Sequence, residues 1–263
     1  MKTRFVSALM LLLVFAACVK KEPAASNPRT GGNPVPEPPG GCKEWVVADQ
    51  PVRVNETDMF LPAGTKMCLS EDELEMRVEL PEGFSFYTPG VANKTLPYYE
   101  STYTCICSRE GSPCTVFYAS GMGFGCLQSS CSGSCTGKFT YMGYSLEKVF
   151  HTGDKETFLA DPEVQALITK DYLPTFKSVA KNVKPENLAY VKQELLGVVF
   201  YVLQERSTLN KSLAPGKVLP YEHAMCDCGG TKACTLKTIS LGKGGMDIYF
   251  CQGKCNGCEL TVD

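Results

Sequence analysis

Apolar positions are laid out along this chain in three distinct textures. Phe5 to Ala17 is a nearly unbroken hydrophobic run, too short for a helix that crosses a bilayer. Val19 to Gly41 is rich in Pro, Gly and small polar residues and offers almost nothing to bury. From Cys42 onward, short β-branched and aromatic stretches alternate with turn residues, which is the pattern of strands joined by hairpins. The stretch from Cys42 to Pro81 is strand-rich, with a turn at Pro62-Ala-Gly-Thr. Thr115-Val-Phe-Tyr and Thr235-Leu-Lys-Thr-Ile-Ser-Leu carry strand formers. Each leads into glycine-rich turn chemistry, at Ser120-Gly-Met-Gly and Gly242-Lys-Gly-Gly. A returning strand follows, clearest in Met246-Asp-Ile-Tyr-Phe.

The period changes between 145 and 196. Asp161-Pro162-Glu163 is a helix start, with a capping carboxylate and proline at the first helical position. Val164, Leu167 and Ile168 then fall on one face. Pro185-Glu-Asn-Leu predicts a second helix, with Leu188, Val191 and Leu195 on one side. Gly197-Val-Val-Phe-Tyr-Val-Leu predicts a buried strand. The expected fold is α+β, with duplicated disulfide-stapled β-hairpin modules flanking a helical insert. Six segments follow: a signal peptide at 1–17, a tether at 18–41, a β-rich segment at 42–81, a first six-cysteine module at 82–142, the helical insert at 143–196, and a second module at 197–263.

Cysteine usage sharpens this picture. The chain has fifteen cysteines. Setting Cys18 aside leaves an even remainder: Cys42, Cys68 and two groups of six. An even set in an exported chain points to a disulfide framework, although six cysteines alone permit fifteen pairings. Cys42 and Cys68 are expected to pair across the N-terminal strands. The first group is Cys105, Cys107, Cys114, Cys126, Cys131 and Cys135; the second is Cys226, Cys228, Cys234, Cys251, Cys255 and Cys258. Both hold a C-x-C and a Cys-Thr-apolar step, and both follow a K-x-L-P-Y lead, at Lys94 and at Lys217. These shared features predict a duplicated module.

The closing triplet, CQGKCNGC from Cys251 to Cys258, resembles the cluster loop of radical S-adenosylmethionine enzymes. Its place argues against that chemistry, because only Glu259 to Asp263 follow it. The first group also breaks the spacing. An alternative is a zinc site, with Cys226, Cys228, Cys255 and Cys258 as four thiolates. A thiol-redox role would need a depressed thiol pKa, and Asp227 between Cys226 and Cys228 works against it. The disulfide reading is preferred, with no metal and no cofactor.

Phe15-Ala-Ala-Cys18, after Lys2, Arg4 and the apolar run, resembles the lipobox of bacterial lipoproteins. That resemblance covers the first 18 residues and implies cleavage before Cys18 and its acylation, with palmitate among the chains. Val19 stands where an aspartate would resemble an inner-membrane retention signal, so the outer membrane or cell surface is expected. Residues 19–41 should form an extended tether at about 3.1 Å per residue. Formal charge is −2; loss of Lys2 and Arg4 leaves 24 basic against 28 acidic residues. Without a basic block, nucleic acid is not an expected partner. The two histidines, His151 and His223, give a catalytic triad little to build from. Tyr98, Tyr99, Tyr103, Tyr141 and Tyr144 crowd the first module and suggest core packing, or contact with a protein or glycan ligand. The expected role is non-catalytic binding or structure. The alternative is an exported enzyme, or a thiol-redox or zinc-thiolate protein.

Overall fold

The computed structural model describes residues 42–55, 57–89, 97–109, 113–209, 217–229, 234–242, 246–255 and 257–262, all within the unit Pro39–Asp263. The expected signal, acylation site and tether lie outside the described residues. The first half of the folded part is built from β1 (Cys42–Val47), β2 (Val52–Arg53), β3 (Phe60–Leu61), β4 (Lys66–Ser70), β5 (Glu75–Glu79), β6 (Phe84–Tyr87), β7 (Glu100–Cys107), β8 (Thr115–Ala119), β9 (Gly123–Leu127), β10 (Cys135–Tyr141), β11 (Tyr144–Leu146) and β12 (Lys148–His151). Six of these form one antiparallel sheet in the order β1-β4-β5-β7-β10-β11. Strand alternation decides its faces. In β5, Met76 and Val78 are buried between the half-exposed Glu75, Arg77 and Glu79. That inner face packs Met67, Met76, Val78, Tyr103 and Phe139 with Leu61, Val116 and Phe124 of the β2–β3 and β8–β9 hairpins. Tyr103 lies 4.9 Å from Phe124 and 4.8 Å from Phe139, ring centre to ring centre.

The predicted turn at Pro62-Ala-Gly-Thr is present. The Thr65 N–H donates to the Pro62 carbonyl at 3.2 Å, and Gly64 takes φ +86°. The first predicted helix is present too. It is α2 (Pro162–Asp171), capped by the Asp161 side chain; a shorter helix outside that prediction, α1 (Lys155–Ala160), precedes it and is capped by Asp154. Phe158, Leu159, Val164 and Ile168 are buried.

The second half contains β13 (Leu188–Leu195), β14 (Val198–Glu205), β15 (Val218–Pro220), β16 (Ala224–Asp227), β17 (Cys234–Ser240), β18 (Asp247–Gly253) and β19 (Glu259–Val262). Its main sheet has the order β15-β13-β14-β18-β17. One face sets Val198, Phe200, Val202, Ile248 and Phe250 against the buried residues of α1 and α2. On the other face, Tyr190, Val199, Tyr201 and Cys251 pack with Leu260 of the β16–β19 ribbon.

The second predicted helix is not one: 188–195 is strand β13, entered through a short 3-10 turn at Pro185–Asn187. Cover on both faces buries Leu188, Ala189, Tyr190 and Val191 in succession, which erases the two-residue period. The apolar subset left in that run matches helical spacing by accident. The strand ends in a two-residue turn, Leu196 at φ +50° and Gly197 at φ +80°, with Leu195 opposite Val198. Positive φ at both central residues is the mirror-image turn whose twist suits a hairpin.

The fold is therefore α+β, mostly strands in several small sheets, with disulfide-stapled hairpins. Cys105–Cys126, Cys107–Cys131 and Cys114–Cys135 close the first six-cysteine segment. Cys226–Cys251, Cys228–Cys255 and Cys234–Cys258 close the second. Both segments join first to fourth, second to fifth and third to sixth. Strand register agrees as well: Val116 faces Cys126 and Leu236 faces Cys251, each two residues after the third cysteine. The first cysteine faces the residue two after the sixth, Cys105 with Gly137 and Cys226 with Leu260. What differs is the surrounding sheet. The first segment builds its outer pair, β7 and β10, into the six-stranded sheet and leaves β8–β9 two-stranded. The second builds its inner hairpin, β17–β18, into the five-stranded sheet and leaves β16–β19 two-stranded.

Candidate functional site

Each segment brings three sulfurs together. Short loops after a C-x-C strand return the fifth and sixth cysteines to the same strand end, so two bridges lie side by side. The Sγ atoms of Cys107, Cys114 and Cys131 all lie within 4.8 Å of one another, as do those of Cys228, Cys234 and Cys255. Within the second group the unbonded Cys234 and Cys255 sulfurs are 3.6 Å apart. Cys114, Cys131 and Cys228 are buried, whereas Cys107, Cys234 and Cys255 are partly open to solvent. Bridged Cα atoms stand 5.5–6.3 Å apart, as cystines require. In the first group the Gln128 side-chain amide donates to the Cys131 carbonyl at 2.7 Å, and the Gly133 N–H donates to Cys131 Sγ at 3.3 Å.

Three elements hold the end of the second group. Lys155 of α1 donates from Nζ to the Cys258 carbonyl at 2.9 Å. Lys192 of β13 pairs with Glu259 at 2.7 Å, both side chains partly exposed. The Leu260 N–H donates to the Tyr201 hydroxyl at 3.0 Å. Burial pushes the Lys155 ammonium below the usual lysine range, with Glu259 opposing and Lys192 reinforcing. Burial likewise raises the Glu194 carboxyl, against the pull of Lys192. The Tyr201 phenol is pushed up to about 12, again by burial first. None of this anchoring is visible in sequence spacing, because Lys155 and Cys258 are 103 positions apart.

The predicted site residues fall out as follows. Cys18 and the Cys42 side chain lie outside the described residues. Cys68 is disulfide-bonded, and its backbone sits opposite Trp45. The zinc quartet expected from spacing, Cys226, Cys228, Cys255 and Cys258, is distributed over three bridges. Cys226 is tied to Cys251, and the third cysteine, Cys234, stands with Cys228 and Cys255 instead. The tyrosines of the first segment divide: Tyr98 and Tyr103 belong to the core, 5.1 Å separates the Tyr98 and Tyr141 rings, and Tyr144 is exposed. A second tyrosine group escaped the sequence reading. Tyr190 contacts the rings of Tyr201, Tyr221 and Tyr249 at 6.4, 5.5 and 5.2 Å. Strand alternation would have found it had the Leu196-Gly197 turn been read as a hairpin. His151 stacks on Phe84 at 4.6 Å, and His223 is exposed on the turn Tyr221–His223.

Comparison with protein-family models, with curated proteins and with solved structures finds no match for this chain. Chemistry therefore rests on the residues themselves, and the grouped cystines are their most distinctive feature.

Proposed function

We propose that this is a lipid-anchored exported protein, held to the outer membrane or cell surface by acyl chains on Cys18, whose folded part is a non-catalytic scaffold that binds a protein or glycan. The carrying observation is that all twelve cysteines of the two six-cysteine segments are consumed in six bridges of one repeated connectivity. Such a framework belongs to an oxidising compartment and stiffens short strands against unfolding and proteolysis. The two segments are read as copies of one unit, supported by the shared connectivity and register. No helix among the described residues is long and apolar enough to cross a membrane. Attachment is assigned to Cys18 because Phe15-Ala-Ala-Cys18 resembles an acylation site. The absence of a basic block favours protein or glycan over nucleic acid as partner.

The test is metabolic labelling of the full chain in a bacterial host with an alkyne fatty acid. Label on the wild type, lost in Cys18→Ala together with membrane retention, is the expected result. An unlabelled wild type removes the anchor from this reading. A second reading, a thiol or zinc-thiolate protein, draws on the grouped sulfurs.

A further inference from the structure

We propose that each six-cysteine segment carries a redox-gated site for a soft divalent cation of the zinc type, formed by Cys107, Cys114, Cys131 and Cys135 in the first and by Cys228, Cys234, Cys255 and Cys258 in the second. The proposal stands apart from the lipid anchor and survives its failure.

Geometry carries it. Four thiolates around zinc lie about 2.3 Å from the metal, which puts tetrahedral sulfurs about 3.8 Å apart. The unbonded Cys234 and Cys255 sulfurs are already 3.6 Å apart, and each trio fits within 4.8 Å. The fourth sulfur of each site, Cys135 or Cys258, is bonded to one member of the trio but lies outside the 4.8 Å grouping, and it has to close on the other two when the bridges open. The grouping recurs at equivalent positions, second, third and fifth, of two segments whose surrounding sheets differ. A tetrathiolate site carries net negative charge, and the Lys155 ammonium reaches the Cys258 backbone beside the second one.

The chemistry closes. A dithiol reductant gives each cystine two electrons and two protons and is itself oxidised to a cyclic disulfide. Two neighbouring cystines thus become four thiols. The cation then forms four metal–sulfur bonds and displaces four protons. Two equivalents of a disulfide oxidant reverse the exchange: each accepts two electrons from a thiolate pair and two protons from solvent to become two thiols, both cystines reform, and the metal is released. The first-to-fourth bridges, Cys105–Cys126 and Cys226–Cys251, are not ligands.

The experiment uses the purified full chain, reduced anaerobically with dithiothreitol, desalted, and titrated with Co²⁺ as a spectroscopic probe. Two ions per chain are expected, with thiolate-to-cobalt charge-transfer and tetrahedral absorption bands, both displaced by zinc. The oxidised chain should take up none. Cys114→Ser and Cys234→Ser should each lower the tight stoichiometry from two to one, whereas Cys226→Ser should leave it at two. Circular dichroism is recorded on the same samples. The proposal is overturned if no cobalt binds, if Cys226→Ser loses as much as Cys234→Ser, or if the chain in concentrated urea binds as well as the folded one.

Discussion

Gly137 shows how one missing side chain shapes the core of the first sheet. It lies in β10 across from Cys105, and any Cβ there would overlap the Tyr103 hydroxyl. Tyr103 is among the largest fully buried side chains, so it has no room to retreat. Gly137→Ala should therefore cost about 1–3 kcal/mol, the usual penalty for overpacking, read as a lower midpoint in urea unfolding. Buried phenols set the alkaline limit. Burial raises Tyr172 and Tyr201 to about 12 and Tyr190 further in the same direction. Their folded values exceed the unfolded value of 10.0, so the unfolded chain loses these protons first. The stability they confer is complete below about pH 10 and drains away as pH rises toward 12. Lys155 acts oppositely, because its lowered value relieves a burial penalty as pH approaches 10.5. The urea midpoint should fall above about pH 10, with a late phase in phenolate absorbance. Tyrosines all ionising together in a still-folded chain would contradict the burial assigned to them.

Among the elements, caps and turns were the most legible. Asp161 and Pro162 mark the start of α2, and the structure adds that the Asp161 carboxylate accepts from the Glu163 and Val164 N–H groups at 2.8 and 3.3 Å. Asp161→Ala should cost about 0.5–2 kcal/mol in thermal or chemical unfolding, with Asp161→Ser restoring most of it. The β10–β11 hairpin offers the opposite sign. Met142 holds φ +47° in a two-residue turn with Gly143 and is 55% exposed. Met142→Asn keeps the turn and relieves left-handed strain without uncovering the core, so it should stabilise by about 0.5–1 kcal/mol, measured as a raised midpoint. β13 was illegible for a definite reason. Its apolar positions carry no period because helices cover one face and the β16–β19 ribbon the other, and cover is a property of partners rather than of the strand.

At the scale of the molecule, cystines tie strands that the sheets alone leave separate. Cys226–Cys251 links the two-stranded β16–β19 ribbon to β18 of the main sheet across a separation of 25 residues. Closing a loop of that size restricts the unfolded chain by about 3.5 kcal/mol. The double variant Cys226→Ala, Cys251→Ala should lose about that much in urea unfolding and release hydrogen-exchange protection first in 224–227 and 259–262. Loss confined to other segments would mean that the ribbon is held by Lys155, Lys192 and Tyr201 instead.

By itself the sequence determined what depends on composition and near neighbours: an odd cysteine among fifteen, two matching groups of six, the Asp161 helix start, the Pro62 turn and strand-forming stretches around glycine turns. These are local or countable, and short-range backbone preference or simple parity decides them. Tertiary structure alone decided which cysteines pair, which three sulfurs meet, that 188–195 is strand, and that Lys155 reaches Cys258. Each of those outcomes is set by which surfaces come to lie against one another, and close approach of distant segments leaves no periodicity in the chain for a reader to find.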